Sequence, residues 1–305
     1  MRATHQFGTQ ISEANSRSVT EAIIESGLNW TVSKQGLLLP NGQDSGAYGI
    51  VKDNGGGDLS CLGVVKGRYE ALQNIDAFQW IQPLLDQGMA DIITAGSYYN
   101  NRKVWMMVKL GGDNITVNGS DEIEKFLFVN TGHDGGGSTQ VIISPIRISC
   151  SNALRAVHSN CDMIRIRHTV GNAAAVENLT EMVDVFNKEF TLTEERYRFL
   201  ANSPINSKDL EKFVKAVVVP DAKPGEEISK RAENRIENVI QLFESGRGVE
   251  VAGGDNYWKA YNAITEYLTH EKGTDASRHQ SLFFGSSKDE SQKALELATE
   301  MAKAA

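Results

Sequence analysis

At Gly171 the hydrophobic period of the chain changes. Before it, apolar residues alternate in short runs broken by glycine-rich turns; after it, they recur every third or fourth residue. A strand buries alternate side chains and a helix buries one face of a 3.6-residue turn, so the two halves are built from different elements. Strand runs followed by helix runs define an α+β fold. The expectation is an antiparallel, hairpin-rich sheet with short helices over residues 1–170, and a helical region over 171–305 that packs on it or on a neighbouring subunit. No repeat of 20 to 50 residues is visible.

Within the first half, Val19, Ile23, Ile24 and Leu28 predict a short helix with Ser18 as its cap and Gly27 near its end. Ala47–Val51 and Leu59–Val65, joined across Asn54-Gly55-Gly56-Gly57, read as a hairpin. Residues 74–85 resume helical spacing, with Pro83 set against an uninterrupted helix. Ile92–Ser97 and Val104–Leu110 form a second hairpin across Asn100-Asn101. Lys125–Asn130 and Gln140–Ser149 follow as strands, the second interrupted by Pro145, which belongs at an edge or a bulge. Asn152–Val157 reads as a short helix, and Met163–Thr169 as a short alternating strand.

Beyond Gly171, helices are expected at 173–201, 207–217, 226–245, 256–271 and 289–304, with breaks at Pro204, 220–225, 246–254 and 273–287. In the fourth of these, Tyr257, Tyr261, Ile264 and Leu268 make a stripe that packs on another helix or on a second copy. Leu295, Leu297 and Met301 in the last either fold back or dock on a neighbour.

Charge and motifs narrow the function. A hydrophobic content of 40% and a charged content of 23% exclude collagenous, wholly disordered and coiled-coil classes. No apolar run nears the roughly 18 residues of a membrane span, and the first residues lack an apolar signal core, which implies the cytoplasm. Three cysteines, Cys61, Cys150 and Cys161, form no paired framework. The net charge of −8 is uneven: residues 1–170 carry 14 Lys+Arg against 16 Asp+Glu, and residues 171–305 carry 17 against 23. The segment 147–168 inverts the sign, with Arg147, Arg155, Arg165 and Arg167, plus His158 and His168, against Asp162 alone.

The chain has no Gly-Lys-Ser/Thr phosphate loop, no His-Glu-x-x-His and no Gly-x-Ser-x-Gly. Gly132-His133-Asp134-Gly135-Gly136-Gly137 offers an acid/base pair beside a phosphate nest. Adjacent residues seldom converge on one substrate atom, so a flexible turn is the default. Cys150, His158, Cys161 and His168 supply zinc-ligand atoms, but only His158-x2-Cys161 has the tight spacing of a structural site, and buried thiols with surface histidines explain the same letters. No cofactor is expected.

On a strand, Arg165 and Arg167 project from one face about 7 Å apart, which matches successive phosphates of a single strand. The hairpin tip adds Tyr98, Tyr99, Arg102 and Lys103, rings and cations together, as sequence-tolerant single-strand binding requires. The competing reading is a solvated sheet face paired with the acidic helices. Tyr69, Phe78, Trp80 and Trp105 are assigned to the core.

Several segments together carry a resemblance. They are Gly27-Leu28-Asn29-Trp30 with Val32, Gly67-Arg68-Tyr69 with Asn74 and Ala77-Phe78, Val104-Trp105, His133-Asp134-Gly135, 147–154, and Arg167-His168-Thr169. Ala260-Tyr261-Asn262-Ala263 with Thr265-Glu266-Tyr267, and Phe284-Gly285-Ser286, complete the set. In this order they resemble, over nearly the full length, the phage/plasmid-like family built on a domain of unknown function numbered nine-three-two. That family carries no established activity or catalytic residue. It implies a setting in mobile-element DNA metabolism inside a bacterial host. The layout is also similar, by architecture alone, to single-strand annealing proteins of the RecT, Red beta and Erf types.

The expectation is an ATP-independent, oligomeric single-stranded DNA-binding or annealing protein. Arg147, Arg155, Arg165, Arg167 and His168 would meet phosphates, and Tyr98, Tyr99, Arg102 and Lys103 would make the hairpin contact. A phage protein-binding factor for host takeover or anti-defence, acting through the helical region, is the alternative.

Overall fold

The computed structural model describes residues 8–135, 139–147, 149, 153, 164–166, 172–220 and 227–305. The fold is α+β. Strand β1 (Thr9–Gln10) precedes helix α1 (Val19–Glu25), strands β2 (Val32–Leu38), β3 (Asp44–Asp53) and β4 (Leu59–Val65), and helices α2 (Asn74–Phe78) and α3 (Gln82–Asp86). Strands β5 (Ala90–Tyr98), β6 (Lys103–Leu110), β7 (Ile115–Val117), β8 (Asp121–Gly132), β9 (Thr139–Arg147) and β10 (Ile164–Ile166) follow. Helices α4 (Asn172–Ala201), α5 (Ser207–Val218), α6 (Lys230–Ser245), α7 (Tyr257–Glu266), α8 (Asp275–Phe284) and α9 (Ser286–Ala304) complete the chain.

Among the described residues, seven strands pair in the order β1-β5-β6-β8-β9-β10, with β7 beside β8, and β2-β3-β4 form a separate small sheet. Every pairing is antiparallel. Local chemistry sets the element ends. The Ser18 side chain accepts from the Glu21 amide at the start of α1, and Gly27 takes φ +69 just past its end. Pro83 opens α3 instead of lying inside a longer helix, so the apolar run 74–85 divides into α2, a 3-10 turn at Gln79–Ile81, and α3. Strand β10 covers β9 only at Thr139–Val141, which leaves Pro145 beyond its reach, where the missing N–H spoils no ladder with β10.

Alternation sorts the large sheet into two faces. Cross-strand neighbours Gly96, Trp105, Asn130 and Gln140 lie in one row on one face, and the backbone of Arg165 continues the row. Phe128 shares that face and stacks on Phe283 of α8 at 3.8 Å. The opposite face carries Lys125, whose ammonium lies over Phe190 of α4, and Asp121, which accepts from Trp258 of α7. One continuous apolar core runs from Val19 to Ala298 and takes residues from both sheet and helices.

Three expectations change. The segment 273–287 is not simply a break: Thr274 and Ser277 form a reciprocal capping box that starts α8 immediately after Gly273. Helix α6 begins at Lys230, four residues later than its hydrophobic spacing predicts, because Ser229 caps it. Ala153, expected in a helix, instead makes an isolated antiparallel bridge with Ile146; the rest of 152–157 lies outside the described residues. The stripe Tyr257, Tyr261, Ile264 and Leu268 is consumed within the chain's own core, and α9 folds back with Leu295 fully buried.

Sheet and helices meet at a buried charge. Arg147 donates from Nε to both carboxylate oxygens of Asp121 at 2.8 and 2.9 Å and from Nη2 to the Gly248 carbonyl at 2.7 Å. The Trp258 indole donates to the same carboxylate at 2.7 Å. Removing one partner strands the other in a medium that cannot solvate it. Arg147→Met or Asp121→Asn is therefore expected to lower the unfolding free energy by about 3–5 kcal/mol. In urea titrations the double variant R147M/D121N should lose clearly less than the sum of the two.

Candidate nucleic-acid interface

Register brings three of the predicted site residues, Tyr98, Lys103 and Arg165, to one end of the large sheet. Tyr98 ends β5 opposite Lys103, Lys103 lies opposite Gly132 at the end of β8, and Ile166 ends β10 opposite Thr139. Arg165, opposite Gln140, is thus three strand spacings from β6, about 14 Å across the same end.

The tip between β5 and β6 is unusual. Tyr99, Asn100 and Asn101 take φ values of 53, 55 and 67 in succession. Asparagine tolerates the left-handed region, whereas for a tyrosine it is strained by about 1–2 kcal/mol. That backbone leaves Tyr99 46% exposed, beside an exposed Arg102. Tyr98 turns the other way: its ring stacks on Trp105 at 5.5 Å and meets the edge of Phe284, and burial pushes its hydroxyl far above the usual phenol range. It is a packing residue in this structure rather than a hairpin contact. Lys103 is half-buried and paired with Asp134 at 3.1 Å.

Arg147, expected on phosphates, is 1% exposed and bound to Asp121. Its guanidinium belongs to the interior; nothing in the sequence marks its aspartate partner, which lies 26 residues away on the neighbouring strand. Arg155, Arg167 and His168 lie outside the described residues, as do Cys150, His158 and Cys161. Among the described residues, no group of three or more His, Cys, Asp and Glu side chains is placed to hold a metal ion. Nor is any helix long and apolar enough to cross a membrane.

Sequence reasoning missed what the small sheet brings. Gly63 of β4 lies against Asp134: a Cβ there would stand 2.4 Å from the Asp134 Cα, so only glycine permits the approach. The Tyr69 hydroxyl donates to the Gly132 carbonyl at 3.4 Å, and the Lys34 ammonium donates to the Gly67 and Tyr69 carbonyls. The exposed Lys66 and Arg68 are thereby delivered to the sheet end that holds Arg102 and Lys103. A glycine inside an alternating strand was the available signal, since it marks close backbone approach. The opposite end of the sheet is acidic: Asp91, Asp113, Glu122 and Glu124 lie there with Lys109 and Arg17.

His133 closes this junction. Its Nε2 lies 2.7 Å from Asn74 Oδ1, and Asn74 is oriented by donating to the Leu28 carbonyl at 2.7 Å, so the imidazole proton sits on Nε2. Trp30 meets the ring edge-on at 5.1 Å, and Nδ1 is buried without a partner. Asp134 pairs with Lys103, so the two adjacent side chains are engaged separately and do not form an acid/base couple. Burial pulls the His133 pKa down to about 4, with Lys103 adding to the effect and Asp134 opposing it. A depressed histidine leaves the unfolded chain binding more protons between its ordinary pKa and the folded one. The protein should hold full stability above about pH 6.5 and lose roughly 3 kcal/mol as the pH falls to 4. Replacing the imidazole in His133→Gln should flatten that part of a thermal-melt pH series.

Among known proteins, a family model described as Domain of unknown function (DUF932) matches residues 61–298. No curated protein and no solved structure gives a significant match. The match covers most of the chain, including the Gly63 contact, the His133 junction and the Arg147–Asp121 pair, and the chain belongs to this family of unknown function.

Proposed function

We propose that this protein is an ATP-independent binder of single-stranded nucleic acid, with DNA favoured, that holds one strand for annealing in a phage or other mobile element of a bacterial host. The observation that supports this reading is the separation of charge along the large sheet. Lys66, Arg68, Arg102, Lys103 and, by backbone position, Arg165 lie toward one end, where the nearby acids among the described residues are Asp134, already paired with Lys103, and Glu70. Beside them a strained turn holds a tyrosine ring in solvent. Cations neutralise phosphates and release counterions, while an exposed ring stacks on any base. Arg165 carries over from the sequence expectation by position, as do Tyr99, Arg102 and Lys103; Arg147 does not, and Tyr98 does not as an exposed hairpin contact.

The helical region supports a second, compatible reading as a contact between copies. Val185 and Phe199 of α4 are 45% and 38% exposed, and fourteen residues place them within about 40° of one helix face. A homo-oligomer would bury them.

Fluorescence anisotropy with a labelled oligothymidylate tests the first reading. Affinity should fall with salt on a log–log slope of roughly −3, as expected for four or five neutralised phosphates on a single strand. Arg102→Ala should make that slope shallower by about 0.7. Tyr99→Ala should weaken binding by about 1–3 kcal/mol with the slope unchanged. Undetectable binding at low salt, or binding indifferent to salt, defeats the proposal. Native mass measurement should show an oligomer that Phe199→Glu dissociates; a monomeric wild type removes the second reading.

A further inference from the structure

We infer that the sheet face bearing Tyr98, Trp105 and Phe128 is a stacking platform for unpaired nucleobases, and that α8 covers it with Phe283 and Phe284. The inference rests on the single-strand reading above and gives that site its base-binding part.

The rings form a ladder across adjacent strands. Tyr98 of β5 stacks on Trp105 of β6 at 5.5 Å and 18°, and Trp105 stacks on Phe128 of β8 at 5.5 Å and 24°. Phe283 continues the ladder by lying on Phe128 at 3.8 Å and 6°, while Phe284 stands edge-on to Tyr98 and Phe128. Gly96 lies opposite Trp105 in the register, and a Cβ there would come within 3.1 Å of the indole, so the glycine lets that ring lie flat over β5. Aromatic side chains on the central strands of an antiparallel sheet are the arrangement on which single-stranded bases stack in RNA-recognition folds.

Packing alone does not account for the polar atoms on this face. The Trp105 Nε1, the Thr94 Oγ1 and the Asn130 Nδ2 are buried without a hydrogen-bond partner, as is the Tyr98 hydroxyl. Buried polar groups are nearly always paired, and a face designed only to stay dry would carry valine, leucine or phenylalanine at these positions. Four unpaired groups beside three stacked rings suit a ligand with flat faces and a polar edge, which describes a nucleobase. In backbone register Arg165 is in the same row as Trp105 and Asn130, at the β10 end of the row. Toward its other end the face opens into a cleft of about 600 Å3 lined by Glu13, Asp91, Lys109, Glu124 and Phe126, an acidic mouth that does not suit phosphates and sets the limit of the platform.

The cover is a separate short helix bounded by two glycines. Helix α8 lies between Gly273, at φ +74, and Gly285, and short glycine-bounded connections are natural pivots. Its capping box, Thr274 with Ser277, is internal to it, while the Ser281 hydroxyl bonds to Ser287 of α9 across Gly285 and Arg278 donates to the Lys272 and Gly273 carbonyls, contacts that opening must keep or exchange. Against the sheet it presents the two phenylalanine rings, which a pair of bases would replace with contacts of the same kind.

The test uses the full chain and a labelled oligothymidylate of roughly 30 nucleotides, several times a usual site size. F283A/F284A loosens the cover and should bind about tenfold more tightly than wild type, because apparent affinity scales with the open fraction. Thr94→Val removes a hydroxyl that has no partner, so it should leave the melting temperature unchanged and weaken binding severalfold. In wild type, amide exchange in α8 should accelerate when the oligonucleotide is added; this measurement carries the test should the double variant fail to fold. Binding by the double variant alone also supports the platform. Wild-type binding that depends on Tyr99 and Arg102, with α8 exchange not accelerated and Thr94→Val without effect, overturns the platform and leaves the tip reading standing. No binding by wild type or double variant overturns both.

Discussion

The helical half is tied to the sheet through one desolvated charge pair. Asp121 opens β8 and Arg147 closes β9, and their contact is completed by groups from far along the chain, the Gly248 carbonyl and the Trp258 indole. A buried ion pair is stable only when every remaining lone pair and proton is satisfied, so the pair dictates where α7 and the preceding loop must sit. Gly248, at φ +72, fits because a Cβ would collide with Ser149 Oγ at 2.5 Å and crowd Arg147 Nη1 at 3.1 Å. The same loop is fastened again one residue earlier, where the Arg247 amide donates to both oxygens of the buried Glu266 at 3.1 and 3.0 Å. Burial raises that carboxyl's pKa while the Arg247 N–H and charge oppose the rise.

A second constraint joins the two sheets, and it is steric. With no side chain at Gly63, β4 comes close enough to touch Asp134, and the Tyr69 hydroxyl reaches the end of β8. Asp134 in turn pairs with Lys103, so one residue links the small sheet, the β5–β6 hairpin and the β8–β9 connection. Segments that carry the family resemblance, Trp30, Tyr69, Asn74 and His133-Asp134, converge here, although they are spread over more than a hundred residues of chain. Their common role is to fix the sheet end at which the cations collect.

Legibility in the sequence followed the range of the interaction. Elements set by neighbours were readable: Ser18 caps a helix three residues away, and Asn100-Asn101 turns a hairpin whose flanking strands pair as expected. Helix α8 was missed because its start depends on a Thr-Ser capping box beside a glycine, and its apolar residues cluster at Leu282, Phe283 and Phe284 without a repeat. At the candidate site the same rule holds. The positions of Tyr99, Arg102 and Arg165 follow from strand and turn, whereas the fate of Arg147 depended on Asp121 and Trp258, and that of Tyr98 on Trp105 and Phe284. An arginine in a basic segment reads as a surface charge until the buried carboxylate that claims it is known.

The net charge of −8 argues against a polyanionic ligand only if charge acts as a total. Screening at physiological salt confines each exposed charge to roughly 8 Å, so a strand approaching the sheet end senses the charges gathered there and little of the acids at the far end. Buried pairs take no part in that field: Arg147 and Asp121 cancel inside the core and drop out of both sums. With the Lys103–Asp134, Arg17–Asp91 and Lys109–Glu124 pairs set aside, the described exposed charges leave the sheet basic where Lys66, Arg68 and Arg102 lie and acidic where Asp113 and Glu122 lie. Such a gradient orients a strand, drawing it to one end and turning it away from the other. On the proposed single-strand reading, an acidic total would limit indiscriminate adhesion to nucleic acid without weakening the basic end, so the overall charge and the local one would serve different purposes in the same molecule.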